Sequence, residues 1–297
     1  MEFADELENI FLKGMFISTD LNLTEENDYY SFLIGRHPFV VRENNVYSNV
    51  CDHRFNLIHP LGYGNQKFIC GYHGKDMSHK TALNSKRFNN LLFIGQDNYL
   101  AKAIEVLTKY SVKTKKRYYS NSLEINCNWK LVVENVIESS HVPYVHNKSK
   151  DILSPFLSFV KEPLYTNLSP HSVSTVIDEA PIRLRKYIDK VCWEHIYIWP
   201  NLFVTNVSNS GTLLSYFHPT KPDHTTVHSE IYLNKSFDSR IEDVFINKSI
   251  EFLHAISEED KVVLEQQQIG YNSMRYKEYS LDNDEPRVQW FLNNFKQ

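Results

Sequence analysis

Residues 51–74 read CDHRFNLIHPLGYGNQKFICGYHG. Cys51 and His53 are separated by one residue, Cys70 and His73 by two, and sixteen residues lie between the pairs. Each pair sits at the end of a β-rich run (Val46–Val50 and Phe68–Cys70) and just before turn formers: Pro60, Gly62 and Gly64 in one case, Gly71 and Gly74 in the other. Runs bounded in this way end in tight loops. The spacing therefore predicts two loops that close on one point and offer it two thiolates and two imidazoles.

The same pattern continues outward. Tyr30–Ile34, Phe39–Val41 and Leu91–Ile94 are further β-rich runs between Asn, Gly and Pro turns, which predicts a small antiparallel β domain over residues 29–98. Ahead of it, Phe3, Leu7, Ile10 and Phe11 fall on one side of a helix. Residues 1–28 thus read as an amphipathic helix and a polar turn, expected to pack on the second domain. Residues 99–297 form that second domain. It opens with a helix at 98–110, then a strand over Arg117–Ile125 and a helix from about Asn128. Strands follow at 194–199, 202–207, 212–217 and 226–233, with a C-terminal helix at 242–267. Strands in the middle and helices near both ends predict an α+β fold. Its second domain is an antiparallel sheet covered by helices, a helix-grip arrangement.

Bulk properties narrow the function. The chain has 297 residues, 42% of them hydrophobic, enough for one large core or two moderate ones. Against 36 acidic side chains stand 32 basic ones, a net charge of −4, which gives no electrostatic reason to expect nucleic acid or a membrane as partner. The N-terminus MEFADELENIFLKG lacks the basic and apolar regions of a signal peptide. No apolar run approaches the ~18–20 residues of a membrane span, so the expectation is a soluble, cytoplasmic protein. Four cysteines (Cys51, Cys70, Cys127, Cys192) make no disulfide framework in such a chain; metal binding or burial suits them better.

Two metal chemistries use the donor set at 51–73. A structural zinc site takes two Cys and two His. In a Rieske cluster two Cys bind one iron and two His the other, and the neutral imidazoles raise the reduction potential above that of all-Cys clusters. Zinc ribbons pair C-x2-C with C-x2-C, so alternating Cys–His pairs favour the cluster.

A second informative stretch is NWKLVVENVIESSHVPYVH at residues 128–146. Trp129, Val132, Val133 and Val136 recur at helical spacing and give one buried face. Glu138 and His141, three apart, are expected on one stripe of that helix, and Pro143 is expected to end it, so that His146 turns back to meet His141. A histidine pair beside a helix end is often just hydrogen-bonded structure; the alternative is a metal site, in which two histidines and one carboxylate can hold an iron and leave positions open for O2. The carboxylate is expected from Asp260, which continues the apolar stripe of Leu253, Ile256 and Leu264 on the C-terminal helix. A carboxylate is costly to bury there unless paired or bound to metal. Glu258 and Glu259 fall off that stripe and read as solvated.

CDHRFNLIHP…CGYHG and NWKLVVEN-x2-E-x2-H-x4-H together resemble the Rieske non-haem iron oxygenases, that is, the ring-hydroxylating oxygenase alpha subunits and their demethylase-like relatives. The two motifs stand in family order, and the resemblance covers essentially the whole chain. EDKVVLE, around Asp260, is similar to the family's late carboxylate segment. The resemblance implies a [2Fe–2S] cluster on Cys51, His53, Cys70 and His73, and a mononuclear Fe(II) on His141, His146 and Asp260. It also implies that Glu138 bridges His73 of one subunit to His141 of the next, within a homo-oligomer most simply a trimer, with Glu134 and Asn135 supporting the helix. HIYIWPNLFV is similar to a pocket-lining strand, which puts Tyr197, Trp199, Asn201 and Phe203 forward as substrate contacts.

There are departures. Gly71 stands where the family usually has Pro, Lys75 where it has Trp, and Glu138 where many dioxygenases have Asp. The Asn135-to-Glu138 spacing resembles the demethylase-like branch. Cys127 and Cys192 read as buried small hydrophobes. The other histidines (His37, His59, His79, His171, His195, His218, His224, His228, His254) have no partner at ligand spacing. Lys113–Arg117 reads as a solvated strand edge, the alternative being a dock for an acidic electron donor.

The expected activity is hydroxylation or oxidative demethylation of a small organic substrate, as a mono- or dioxygenase using O2. Electrons would come from a separate reductase or ferredoxin, since the chain has no nucleotide- or flavin-binding fingerprint. Two rivals are a Rieske electron-transfer or binding protein with an inactive iron site, and a zinc-stabilised hydrolase. Substrate identity is not written in these motifs.

Overall fold

The computed structural model describes residues 3–18, 21, 23–149, 165–169, 171–177, 193–207, 210–236, 239–273, 281 and 285–295. The chain divides into two compact units, Met1–Glu105 and Val106–Gln297.

The first unit opens with α1 (Phe3–Asn9), a 3-10 turn (Phe11–Lys13) and β1 (Gly14–Ser18). Strands β2 (Asp28–Ile34), β3 (His37–Arg42), β4 (Asn45–Ser48), β5 (Gly62–Asn65), β6 (Ser85–Phe88) and β7 (Leu91–Gly95) follow. They form two antiparallel sheets, β4-β3-β2-β5 and β1-β7-β6. Ile34, Val40, Val41 and Val46 are buried in the first sheet, and Phe16, Leu92 and Phe93 in the second.

Residues 1–28 hold more than the expected helix and polar turn. The helix is short, and Met15, Phe16 and Ile17, all buried, extend as a strand that pairs with β7 through Met15↔Ile94 and Phe16↔Phe93. Glu8 pairs with Arg36 at 2.5 Å. A Cβ on Gly35, itself at φ +53°, would lie 1.9 Å from Leu7 Cδ1. That turn needs glycine both for its left-handed backbone and for the side chain packed on it. The N-terminal segment therefore folds with the β unit. Phe68–Cys70, expected as a strand, contributes only the bridge Ile69↔Asp76.

Helix α2 (Asp97–Lys109) runs across the boundary between the units. In the second unit come β8 (Lys116–Ile125), α3 (Trp129–Ile137) and α4 (Val142–Val145), then β9 (Tyr165–Ser169), β10 (Ser172–Ile177) and β11 (Trp193–Ile198). They are followed by β12 (Leu202–Val207), β13 (Gly211–Lys221), β14 (His224–Leu233), α5 (Ser239–Ser273) and α6 (Pro286–Phe295). The seven strands form one antiparallel sheet in the order β8-β14-β13-β12-β11-β10-β9.

Register places Tyr197, Phe203, Ser215 and Ser229 opposite one another and hence on one face. The helices cover that face. Trp129 of α3 stacks on Phe217 at 5.9 Å and meets Phe291 of α6 edge-on at 5.8 Å, all three being fully buried. Burial of each such ring contributes roughly 2–3 kcal/mol. The expected α+β architecture, with helices gripping an antiparallel sheet, is what the second unit shows. Lys113, Lys115, Lys116 and Arg117 lie exposed at or beside the edge strand β8, with Arg117 also paired to Glu230 at 3.3 Å. Among the described residues no helix is long and apolar enough to cross a membrane.

Candidate metal centres

In the first unit two loops repeat one backbone pattern. Cys51 N donates to Asn56 O at 2.8 Å and Phe55 N to Cys51 O at 2.9 Å. Cys70 N donates to Lys75 O at 2.9 Å and Gly74 N to Cys70 O at 2.8 Å. The residue four past each cysteine is left-handed, Phe55 at φ +56° and Gly74 at φ +69°. Each loop is closed by a single bridge, Val50↔Leu57 or Ile69↔Asp76. Beneath them Cys51, Ile58, Cys70 and Met77 form a small buried core against Phe68.

The loops bring the ligand atoms of Cys51, Cys70 and His73 within 4.8 Å of one another. The His53 ring stacks on His73 at 4.6 Å and 9° between planes, exposed on the outer side. Nε2 of His73 lies 3.5 Å from Cys51 Sγ, while its Nδ1 is buried and without a hydrogen-bond partner among the described residues. A buried imidazole nitrogen is normally paired, so an unpaired one on a ring that sits beside two thiols fits a metal ligand. Burial opposes ionisation of the Cys51 thiol, but the N–H groups of Arg54 and His53 and the neighbouring Cys70 bring it below its ordinary value. That favours the thiolate a metal needs.

In the second unit the backbone differs from the expected single helix. Asn128 caps α3 by accepting from Lys130 N at 3.0 Å, and its own N–H donates to Gln268 Oε1 at 2.7 Å. Trp129, Val132 and Val133 are buried as predicted, but the helix stops at Ile137 and Glu138 is its extended C-cap. The Glu138 carboxylate folds back over the turn, accepting from the N–H and hydroxyl of Ser140 and from His141 N. Pro143 does not end α3; it starts α4, where its missing N–H costs nothing. His141 and His146 therefore bracket one helical turn as its N-cap and C-cap.

Across that turn the two Nε2 atoms face each other at 3.2 Å, and Asp260 Oδ1 of α5 lies 3.5 Å from each. Ligands about 2.1 Å from a metal and roughly at right angles are about 3 Å apart. The three atoms thus outline one face of a coordination sphere. Behind it, His141 Nδ1 bonds Glu138, His146 Nδ1 lies 3.1 Å from Glu259, and Asn135 Nδ2 reaches Asp260 Oδ1 at 3.5 Å. Burial would push the His141 imidazolium down, but Asp260 and Glu138 raise it to about 9. The pocket is a cation site by charge as well as by shape.

Residues 112–297 match the family described as ring hydroxylating alpha subunit (catalytic domain). The chain belongs to this family. It is a Rieske-type non-haem iron oxygenase, acting on a small organic substrate. Choline monooxygenase of Beta vulgaris, a chloroplastic enzyme, is 24% identical over 93% of this chain and 69% of its own length. The large oxygenase component of a Burkholderia 2,4-dinitrotoluene dioxygenase system is 32% identical over 31% of this chain and 22% of its own. Among solved structures, the quaternary ammonium Rieske monooxygenase CntA superposes with a TM-score of 0.75 at 18% identity, covering 99% of this chain and 92% of that one. A Rhodococcus naphthalene 1,2-dioxygenase does so at 0.73 and 16%, covering 98% and 90%. These likenesses establish the fold.

One expectation within this oxygenase changes. Glu259 is not a solvated helix residue: its side chain is only 10% exposed and it bonds His146, Lys148 N and Ser149. Its position just before Asp260 was the available signal, since neighbours about 100° apart on a helix can reach the front and back of one ring. Of the four pocket candidates, Tyr197 donates its hydroxyl to Pro200 O at 2.6 Å, and Asn201 Nδ2 donates to Phe217 O at 3.2 Å. Phe203 stacks on Tyr197, and Trp199 packs edge-on to Trp129 and Trp290. The aromatic three join one buried cluster, and Asn201 ties two strands together. Cys127 is fully buried with its thiol pushed up to about 12 by burial, as a small hydrophobe should be. Cys192 lies outside the described residues.

Proposed function

We propose that Cys51, His53, Cys70 and His73 hold a [2Fe–2S] cluster, and that His141, His146 and Asp260 hold the mononuclear Fe(II) at which a C–H bond of the substrate is hydroxylated. The observation that carries this is the convergence of the His141 and His146 Nε2 atoms and Asp260 Oδ1 within 3.5 Å. Iron with three protein ligands on one face supplies O2 activation at its open positions. Hydroxylation of a methyl group next to nitrogen or oxygen gives a hemiaminal or hemiacetal that collapses to formaldehyde and the free amine or alcohol, so demethylation begins with the same C–H hydroxylation.

The chain's own residues do the rest. Glu138 takes the Nδ1 edge of His141, which leaves Nε2 free to donate its lone pair. Asn135 steadies Asp260 from inside α3. Trp199 and Phe203, in the aromatic layer on the helix-covered face of the sheet, are our choice for the substrate wall. Electrons arrive from a separate ferredoxin or reductase, one at a time.

We further propose a closed homo-oligomer, most simply a trimer, in which Glu138 also accepts from the partner subunit's His73. Phe55, Leu57, Leu61, Ile69 and Tyr72 stand exposed on and beside the cluster loops, an apolar rim that suits burial against another copy. Tyr144, 81% exposed between the two iron histidines, offers a matching apolar contact.

Metal and sulfide analysis of anaerobically purified protein tests the assignment. The expected result is about three irons and about two acid-labile sulfides per chain, with His146→Ala lacking one iron. Stoichiometric zinc without sulfide, in protein made with ample iron, would overturn it.

A further inference from the structure

Helix α5 grips one imidazole from both edges. Asp260 Oδ1 lies 3.5 Å from His146 Nε2, and Glu259 Oε2 lies 3.1 Å from His146 Nδ1. The same Glu259 oxygen accepts the Ser149 hydroxyl at 2.7 Å, while Oε1 accepts Lys148 N at 2.5 Å and Ser149 N at 3.3 Å. His146 is 5% exposed. Both oxygens of the Glu259 carboxylate are thus taken up by donors and by the ring, and its side chain is 10% exposed.

We infer that Glu259 is a positioning residue that sets the tautomer and the angle of the His146 ring. An acceptor at Nδ1 fixes the proton there and leaves the Nε2 lone pair for the metal. Because Glu259 also holds the two residues after the loop turns away from His146, ring and loop are locked to the helix that carries the third ligand. Glu138 holds His141 in the same manner, but it also spans its own turn at Ser140 and is our choice for the contact with the partner. Glu259 has only the internal task. This inference rests on His146 being an iron ligand.

The test compares wild type, Glu259→Gln, Glu259→Ala and Ser149→Ala, each carrying its cluster but stripped of mononuclear iron. Each is titrated anaerobically with Fe(II) against a chelator, and its nitric oxide adduct is recorded by electron paramagnetic resonance. Glu259→Ala is expected to bind Fe(II) about 10- to 100-fold more weakly and to give an altered adduct spectrum. Glu259→Gln, which keeps the shape and an oxygen for the Lys148 and Ser149 N–H groups, should lie between it and wild type, and it decides the matter if the Ala variant misfolds. Ser149→Ala removes a hydroxyl from Glu259 and leaves the imidazole contact, so its iron affinity and spectrum should match wild type. Wild-type affinity and spectrum in both Glu259 variants would overturn the inference, as would equal loss in Ser149→Ala, which would place the effect in the loop. Wild-type Fe(II) affinity in Asp260→Ala, titrated in the same way, would instead bring down the iron assignment itself.

Discussion

Asp260 stands 3.5 Å from the Nε2 atoms of both His141 and His146, although 119 and 114 residues separate it from them in the chain. It is the group that turns a pair of histidines into a three-point cradle, and the seam between α3, α4 and α5 exists around it. Asp260→Ala should therefore lose the mononuclear iron and product formation, while the visible spectrum of the cluster, carried by the other unit, stays as in wild type. Iron analysis with substrate turnover checks this. Normal turnover in that variant would mean the third ligand lies elsewhere.

The cluster loops give a complementary expectation. Cys51 and Cys70 are fully buried side by side above Met77, and each anchors its loop through paired backbone hydrogen bonds. Serine fits the same space but is a poor ligand for this iron, so Cys51→Ser or Cys70→Ser should abolish the brown colour and the labile sulfide. Thermal unfolding of the first unit should also fall, because the loops then enclose an unfilled polar site.

How far the sequence reaches is clearest at these two sites. Cys51, Cys70, His73, His141 and His146 were legible because metal chemistry demands fixed residue types at short spacings, and Asp260 because it breaks an apolar stripe. His53 was equally legible, and the structure sets its ring against His73 at 4.6 Å. What failed depends on distance or on chain ends. The pairing of β1 with β7 joins residues some eighty apart, and no local pattern announces it. Glu138 leaves the helix because its carboxylate satisfies Ser140 and His141 N–H groups that would otherwise be exposed at the turn, a choice between two local hydrogen-bond schemes that periodicity cannot weigh. Glu259 was misjudged because its partners, His146 to Ser149, come from more than a hundred residues away.

Acid should destabilise both units by a common route. Burial, with Arg42 nearby, pushes the His59 imidazolium down to about 4; burial does the same to His195, helped by Arg287, and to His228. Each ring is neutral in the folded chain but takes up a proton near its ordinary value of 6.5 once unfolded. Stability from these groups is intact above pH 6.5 and is lost as the pH falls from 6.5 toward 4, at a cost on the order of 1–3 kcal/mol per ring. Denaturant midpoints measured across that window should fall steadily. His228→Asn should flatten the slope for the second unit, and an unchanged slope would show that the ring titrates alike in the folded and unfolded chain.

Trp129 makes the strongest packing prediction. It is fully buried, stacks on Phe217 at 5.9 Å and meets Phe291 and Trp199 edge-on. Trp129→Ala should cost about 3–5 kcal/mol. Since Trp129 opens α3, the loss should reach the metal site: less mononuclear iron retained, measured after purification, with the cluster content unchanged.

The last prediction concerns Glu138. Its carboxylate holds His141 Nδ1 and the Ser140 turn, and its side chain is 14% exposed, enough to be reached from outside. If it also accepts from the partner subunit's His73, it is the single group through which a cluster histidine and an iron histidine are joined. Glu138→Gln keeps the size and one acceptor oxygen, so the turn survives, but it removes the charge that both imidazoles share. The variant should keep its cluster, its iron and its oligomeric state. Electron transfer from reduced cluster to iron site should slow by about 10- to 100-fold, the range seen when an outer carboxylate is taken from a metal-bound histidine. Rapid mixing of reduced protein with O2 and substrate reads this directly, as wild-type cluster reoxidises and the variant's stays reduced. Equal reoxidation rates, or full activity from a form that sedimentation shows to be monomeric, would remove the bridge and leave Glu138 with His141 alone.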